Sequence, residues 1–187
     1  MTKLAIGGLV QVYTGNGKGK TTCALGAGLR AAGHGLEVRM IAFMKAKIAT
    51  RSGGTEINYG EFKSVEFIPN FSIIPAGRET FVNKENPDPV DIEMAQNGLK
   101  QAKEFLEQHA CDVLILDEIN VAVEWGLISL EDQLALIDKK PADVEIIMTG
   151  RYAHPALLER ANLVTEMTEK KHYYSTDKVE ARRGFEF

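Results

Sequence analysis

Cysteine and tryptophan are scarce in this sequence: two and one among 187 residues, namely Cys23, Cys111 and Trp125. The two cysteines have no metal-ligand spacing, and both read as small buried side chains in a reduced compartment. A basic excess is also missing. The formal net charge of −4 argues against a general nucleic-acid or membrane-surface binder, since both need positive charge. No apolar run approaches the ~20 residues of a membrane helix. The opening MTKLAIGGLVQVY is broken by glycine too soon for a signal peptide. No internal repeat and no low-complexity segment is present. What remains is 44% hydrophobic and 26% charged, enough apolar content for a packed core. Residues 1–187 are expected to form one cytoplasmic domain.

Apolar runs and helical periods alternate along the chain. Residues 9–13, 37–43, 65–68, 113–116, 144–148 and 163–167 read as strands. Residues 20–32, 91–109, 129–137 and 155–161 read as helices. Gly33-His34-Gly35 ends the first, Ser129 with Asp132 caps the third, and Pro155 opens the fourth. In the second, Ala95, Leu99, Ala102 and Leu106 share one face. Residues 44–60, with Gly53 and Gly54, read as a loop. Residues 69–89, with Pro69, Pro75, Pro87 and Pro89, read as irregular. The polar, basic segment 170–187 is expected to wrap the surface. Such alternation predicts a mainly parallel sheet with helices on both faces.

Between the first strand and the first helix lies Thr14-Gly15-Asn16-Gly17-Lys18-Gly19-Lys20-Thr21-Thr22. It matches the phosphate-loop pattern G-x-x-x-x-G-K-[ST] except at its first glycine, where Thr14 stands. Glycines let backbone N–H groups turn inward around phosphate oxygens. The helix that follows adds the positive end of its dipole. Lys20 would neutralise phosphate charge, and Thr21 would place its hydroxyl on Mg²⁺. Lys18 reads equally well as a phosphate contact or as a solvated loop lysine. This loop predicts binding of a nucleoside triphosphate, ATP with Mg²⁺ (or Mn²⁺). Asn83-Lys84-Glu85-Asn86 lacks the aspartate of a guanine-reading motif, which favours adenine.

The strand VLIL ends in Asp117-Glu118. In a phosphate-loop fold such a strand brings a carboxylate to the metal at the sheet's C-terminal edge. Asp117 or Glu118 is therefore the expected metal ligand, directly or through water. Glu118 could equally serve as a base for water, so the pair leaves an ATPase or kinase open. Arg151, after Thr149-Gly150, emerges at the same edge and suits a phosphate. Arg30, near the end of the first helix, favours the helix dipole by position alone. His154 and His172 lack metal-ligand spacing and read as bland, and Trp125 reads as core.

Several blocks together resemble the phosphate-loop ATP:corrinoid adenosyltransferases. They are VYTGNGKGKTT through RAAGHGLEV, IAFMK followed by Gly60-Glu61, DVLILDEIN, IIMTGR with His154-Pro155 and LVTEM, and Lys171-His172 with the ending ARRGFEF. The blocks run in the family's order over nearly the whole chain, and the family shares Thr14 at the first glycine position. The resemblance implies a three-layer, recombinase-like phosphate-loop α/β fold. It implies transfer of the 5′-deoxyadenosyl group of ATP to the cobalt(I) of a reduced corrinoid, with triphosphate leaving intact. It also implies that Asn16, Lys18, Thr21, Thr22, Arg30 and Arg151 contact ATP, that Thr21 and Glu118 hold the metal, and that the nucleotide lies reversed relative to ordinary phosphate-loop enzymes. A homodimer and a flavoprotein reductase as electron donor are further implications. Family members carry a Gly-Phe-Thr-Trp-like segment whose aromatics help displace the corrinoid's lower axial ligand. Here that stretch is Gly77-Arg78-Glu79-Thr80-Phe81, with Phe81 as the replacement for the tryptophan and Glu79 where an aromatic is expected. Competing readings are a phosphate-loop ATPase or kinase of another pathway and a non-catalytic nucleotide or corrinoid carrier. The divergent 77–81 stretch is the main support for the carrier.

Overall fold

The computed structural model describes residues 7–46, 48–49, 55–56 and 59–187. In chain order the elements are β1 (Val10–Thr14), α1 (Lys20–Gly33), β2 (Val38–Phe43), β3 (Ile48–Ala49), β4 (Thr55–Glu56), α2 (Gly60–Val65), β5 (Phe71–Ala76) and α3 (Pro89–Glu107). Then follow β6 (Val113–Asp117), α4 (Ile119–Glu124), α5 (Leu130–Asp138), β7 (Glu145–Thr149), α6 (Pro155–Arg160), β8 (Leu163–Glu166) and α7 (Tyr173–Asp177). Six strands form one sheet in the order β5-β2-β6-β7-β1-β8, and every neighbouring pair is parallel. β3 and β4 form a separate antiparallel pair.

Two apolar layers lie against this sheet. One packs Ala95, Leu99, Ala102 and Leu106 of α3 with Ile119 and Ala122 of α4, Leu136 of α5 and Leu157 of α6. The other packs Ala24 and Ala32 of α1 against Met40, Phe71, Val113 and Ile115. The central strands β6 and β7 are buried on both faces, which is why they read as unbroken apolar runs. Helix starts follow their caps. Asp88 accepts from the Val90 amide at 2.9 Å ahead of Pro89, and Ser129 Oγ accepts from the Asp132 amide at 3.1 Å.

Three expectations are corrected. Residues 65–68 are not a strand: Val65 closes α2, and the strand is β5, inside the stretch read as irregular. Pro75 hides that strand in the sequence. It is tolerated because β5 is an edge strand paired only with β2, opposite Ala42, so no second neighbour needs its amide. The loop of 44–60 contains the β3–β4 pair; Gly53 and Gly54 lie outside the described residues. Cys23 is exposed rather than buried, since it lies on the outer face of α1, whereas Cys111 is buried and both are free thiols.

All six parallel strands end at one edge. The connections that carry chemistry-bearing side chains (14–20 after β1, 44–45 after β2, 77–82 after β5, 118 after β6, 150–152 after β7) therefore converge there, as expected for an open parallel sheet. No helix among the described residues is long and apolar enough to cross a membrane.

Candidate active site

The loop after β1 is held by β8. Gly15 sits at φ 92°, and a Cβ there would lie 2.4 Å from the Met167 carbonyl oxygen. The Gly17 amide donates to that same oxygen at 2.6 Å. Both glycines are thus forced by the close approach of a neighbouring backbone, and Gly15 by its left-handed turn as well. Gly19, in left-handed conformation, precedes α1, whose first turn has neither an acidic residue nor a side-chain cap. The amides that begin this 14-residue helix are left for an anion. Lys20 is buried, and its ammonium donates to the Gly17 carbonyl at 2.8 Å, across the mouth of the loop. Burial pulls its pKa down; Glu118 and Asp117 oppose that, and Arg151 adds to it. Those four charges therefore share one field.

Asp117 ends β6 and is fully buried. Its Oδ1 accepts from the hydroxyls of Thr21, at 2.8 Å, and Thr149, at 2.7 Å. Its Oδ2 is buried without a hydrogen bond from the described residues, although the Lys45 ammonium forms an ion pair with it at 2.9 Å. Lys45 also pairs with Glu61 at 3.6 Å and lies 5.1 Å from the centre of the Tyr59 ring. Burial works to lower the Lys45 pKa, yet Asp117, Glu61 and Glu118 together outweigh it and the net shift is upward.

Glu118 adopts a left-handed conformation at φ 61°, with its amide donating to Thr149 Oγ1 at 3.0 Å. A non-glycine residue in that region is held there by its surroundings. Burial, and then the neighbouring Asp117 charge, raise the Glu118 pKa against the pull of Lys45, Lys20 and Arg151. Thr21, Asp117 and Glu118 form an all-oxygen set suited to a hard divalent cation. Among the described residues no group of three His, Cys, Asp or Glu side chains could hold a metal unaided. A cation there would complete its shell with water and, when nucleotide is bound, with phosphate oxygens, the arrangement Mg²⁺ adopts in nucleotide sites.

Among the described residues, two large cavities open at this edge. A polar one of about 550 Å³ is lined by Thr21, Thr22, Glu61, Ser64 and the chain end 184–187. An aromatic one of about 530 Å³ is lined by Asn16, Tyr59, Phe81, Trp125, Tyr152 and Tyr174, with Arg151. Lys18, Lys20, Lys45 and Glu118 line both.

A family model described as ATP:corrinoid adenosyltransferase BtuR/CobO/CobP matches residues 7–187. The chain belongs to that family. It is 33% identical to the corrinoid adenosyltransferase of Pseudomonas aeruginosa over 180 residues, which cover 96% of this chain and 84% of the relative. Against the corrinoid adenosyltransferase CobA of Salmonella typhimurium the identity is 33% over 182 residues, 96% of this chain and 86% of the relative. Among solved structures the fold resembles a KaiC-like protein of Pyrococcus horikoshii, with TM-score 0.52, 15% identity and coverage of 88% of this chain and 74% of that one. It also resembles the flagellar accessory protein FlaH of Methanocaldococcus jannaschii, with TM-score 0.54, 14% identity and coverage of 86% and 71%. At those identities the likeness is one of fold. ATP-dependent adenosylation of a corrinoid is the activity of the adenosyltransferase family.

Within this adenosyltransferase, Gly15, Asn16, Gly17, Lys18, Gly19, Lys20, Thr21 and Thr22 form one loop, and Asp117, Glu118 and Arg151 come to it from neighbouring strands. Arg30 does not. It is exposed in the last turn of α1, about 15 Å along the axis from Lys20 at 1.5 Å per residue, and it lines neither cavity. The helix that presents its first turn to the loop necessarily carries its last turn toward the opposite edge of the sheet. Phe81 is fully exposed and lines the aromatic cavity. Trp125 is half-buried in that cavity's wall rather than part of the core, because it follows α4 at the C-terminal edge. His154 and His172 each accept from an amide two residues on, at 3.1 Å, and cap α6 and α7.

Two groups at the site escaped the motif reading. Lys45 carried a signal, since it follows β2 at the ligand edge and ends the block IAFMK. The chain end carried only its basic, aromatic composition. Its Phe185 carbonyl accepts from Lys18 at 3.3 Å, and Glu186 pairs with Lys18 at 3.5 Å. Glu186 is itself held by Arg182 and by the Tyr173 hydroxyl, which together bring its pKa down to about 2.

Proposed function

We propose that the polar cavity takes the triphosphate of ATP and the aromatic cavity takes the corrinoid, with the adenosyl group crossing between them. The observation that carries this reading is the sharing of Lys18, Lys20, Lys45 and Glu118 by both cavities. A triphosphate on the loop amides lies beside the wall of rings, so the ribose C5′ can face the corrinoid. This is the reversed nucleotide orientation the family resemblance implies.

The reaction forms a cobalt–carbon bond at C5′ and breaks the bond from C5′ to the triphosphate oxygen, whose electron pair leaves with the triphosphate. Cobalt(I) of the corrinoid substrate is the nucleophile, so the chain supplies no serine, cysteine or histidine for attack. Its work is positioning and the stabilisation of charge on the leaving group. Lys20 sits where that charge develops and needs only to exchange the Gly17 carbonyl for a phosphate oxygen. The amides of the loop and of the first turn of α1 add fixed dipoles, and Lys18 and Arg151 flank the opening. Thr21 and Glu118, with Asp117 behind them, would hold Mg²⁺, which supplies charge neutralisation of the triphosphate when bound. Tyr59, Phe81, Trp125 and Tyr152 offer an apolar surface that excludes water from the reacting carbon.

The setting that fits is a cytoplasmic homodimer with a flavoprotein as electron donor. The two free thiols suit a reducing compartment. Purified protein under anaerobic conditions, with ATP, Mg²⁺ and chemically reduced cobalamin, is expected to yield a light-sensitive alkylcobalt product and intact triphosphate. Release of orthophosphate at the same rate without corrinoid would overturn this reading in favour of an ATPase.

A further inference from the structure

Among the described residues, Lys45 is the one ammonium that touches both the buried strand-end carboxylate and the seam between the cavities. Its side chain is 15% exposed, and Asp117 beside it is 0% exposed. Asp117 already spends Oδ1 on two hydroxyls, and Thr21 is one of them. The remaining oxygen, Oδ2, has the Lys45 ammonium at 2.9 Å and no other partner among the described residues. A buried carboxylate needs a counter-charge, and among the described residues Lys45 is the one in contact with it, so its removal leaves a poorly compensated ion in a low-dielectric site. Glu61 stands 3.6 Å from the same ammonium, on the first turn of α2. Lys45 therefore has a second carboxylate to turn to without leaving the site. The four-carbon stem allows that motion, since an ammonium on a flexible chain is a movable point charge.

We propose that Lys45 is a tethered stand-in cation: it neutralises Asp117 while no divalent cation is bound, keeps such cations out until the triphosphate arrives, and then passes to Glu61. This rests on the reading of Thr21, Asp117 and Glu118 as the metal-binding set. Lys45 acts through Asp117 and is a positioning residue. Two consequences separate this role from simple packing. The wild-type protein has little affinity for a divalent cation alone, because an ammonium already satisfies Asp117. Replacing the ammonium by an uncharged chain of similar shape opens the site, so metal binding loses its requirement for nucleotide.

Mn²⁺ serves as the probe, read by its electron paramagnetic resonance signal and by thermal unfolding, on the full chain with and without ATP. Wild type should bind Mn²⁺ with ATP and scarcely without it. Lys45→Met should bind Mn²⁺ without ATP more tightly than wild type by roughly tenfold or more. It should also melt several degrees below wild type without metal and recover when Mn²⁺ is added. Lys45→Arg, which keeps the charge, should behave as wild type. Equal Mn²⁺ affinity of Lys45→Met and wild type without nucleotide would overturn the proposal. If Lys45→Met fails to fold, refolding in Mn²⁺ or adding Asp117→Asn should rescue it, and rescue by neither overturns the proposal too. Absence of Mn²⁺ binding by wild type even with ATP brings down the metal-site reading itself, a result distinct from the others.

Discussion

The polar cavity is lined by the start of α1 and by charged side chains, while the aromatic cavity beside it is lined mostly by rings on the connections around it. Behind the first, the loop glycines press against the Met167 carbonyl, Lys20 is tied to the Gly17 carbonyl at 2.8 Å, and Thr21 is tied to Asp117 at 2.8 Å. In the second, Phe81 is fully exposed and Tyr152 half so, each on a connection after a strand. A triphosphate is the same in every phosphate-loop enzyme, so its cradle can be built from backbone and fixed by a short contiguous motif. A corrinoid has a broad apolar face, and rings from distant segments can meet it in many combinations. The rigid half sets the chemistry and the softer half sets the acceptor. Substitutions in the first should therefore change turnover, and substitutions in the second should change the acceptor's KM.

The largest expected effect is that of Lys20→Ala. Loss of a group aimed at developing charge lowers kcat by about 100- to 1000-fold, and here the ground-state triphosphate loses the same contact. ATP titration by calorimetry should show tight binding abolished. Unchanged ATP affinity would break the assignment of the loop and the comparison with it.

Glu118→Gln comes next and tests both stability and turnover. Loss of a carboxylate that holds the cation is expected to lower kcat by about 10- to 100-fold, with corrinoid KM unchanged. Burial, then Asp117, raise the Glu118 pKa. A raised carboxylate pKa means that the protonated form suits the folded protein. The wild type then loses stability as pH rises from the ordinary glutamate range through the raised value. Glutamine cannot ionise, so the variant should unfold at a higher temperature than wild type near neutral pH. That advantage should vanish in acid, where Glu118 is protonated as well. A variant less stable than wild type at neutral pH would show that the ionised carboxylate is held by favourable contacts rather than tolerated for function.

Smaller effects belong to the aromatic wall. Trp125→Ala and Phe81→Ala each remove a ring, at about 1–2 kcal/mol for a contact residue of this kind. Corrinoid KM should rise roughly tenfold in steady-state assays, with ATP KM unchanged. Phe81→Ala should leave thermal stability alone because its ring is exposed, whereas Trp125→Ala should lower it somewhat. A change in ATP KM of similar size would mean that the cavities are not divided as described.

How much of this could be read from the chain follows the same division. The loop at 15–22, the strand ending in Asp117-Glu118 and Arg151 after β7 were legible because each is a contiguous pattern at a strand end. β5 was not, because Pro75 argues against a strand unless it lies at an edge, and edge position is a property of the whole sheet. Arg30, assigned to ATP only by the family resemblance, stands apart from the loop in this chain, because a helix rising 1.5 Å per residue carries that side chain away from its first turn. Lys45 and Glu61 each lie in a block of the family resemblance, but their pairing exists only after β2 and α2 fold to the same edge, so no local pattern announces it. Trp125 read as core because a lone tryptophan usually is, and only the position of α4 shows that it faces a cavity.

The smallest expected effect probes how the soft half is held. Arg78 grips Asp91 at the start of α3 through a fork, with Nε to Oδ1 at 2.6 Å and Nη2 to Oδ2 at 2.8 Å, and reaches Asp88 at 3.2 Å. This ties the stretch 77–81 to a long helix and fixes where Phe81 stands. Arg78→Ala should raise corrinoid KM only severalfold, for two reasons. Phe81 remains in the chain, and Asp91 keeps the favourable field of the helix N-terminus, so the fold survives. Arg78→Lys keeps the charge but loses the fork and should fall between the two. The informative measurement is the double variant. If Arg78 acts through Phe81, then adding Arg78→Ala to Phe81→Ala should change corrinoid KM no further, since the anchored ring is already gone. Additive losses would show instead that Arg78 meets the corrinoid itself, and the aromatic cavity would then have a cationic rim of its own.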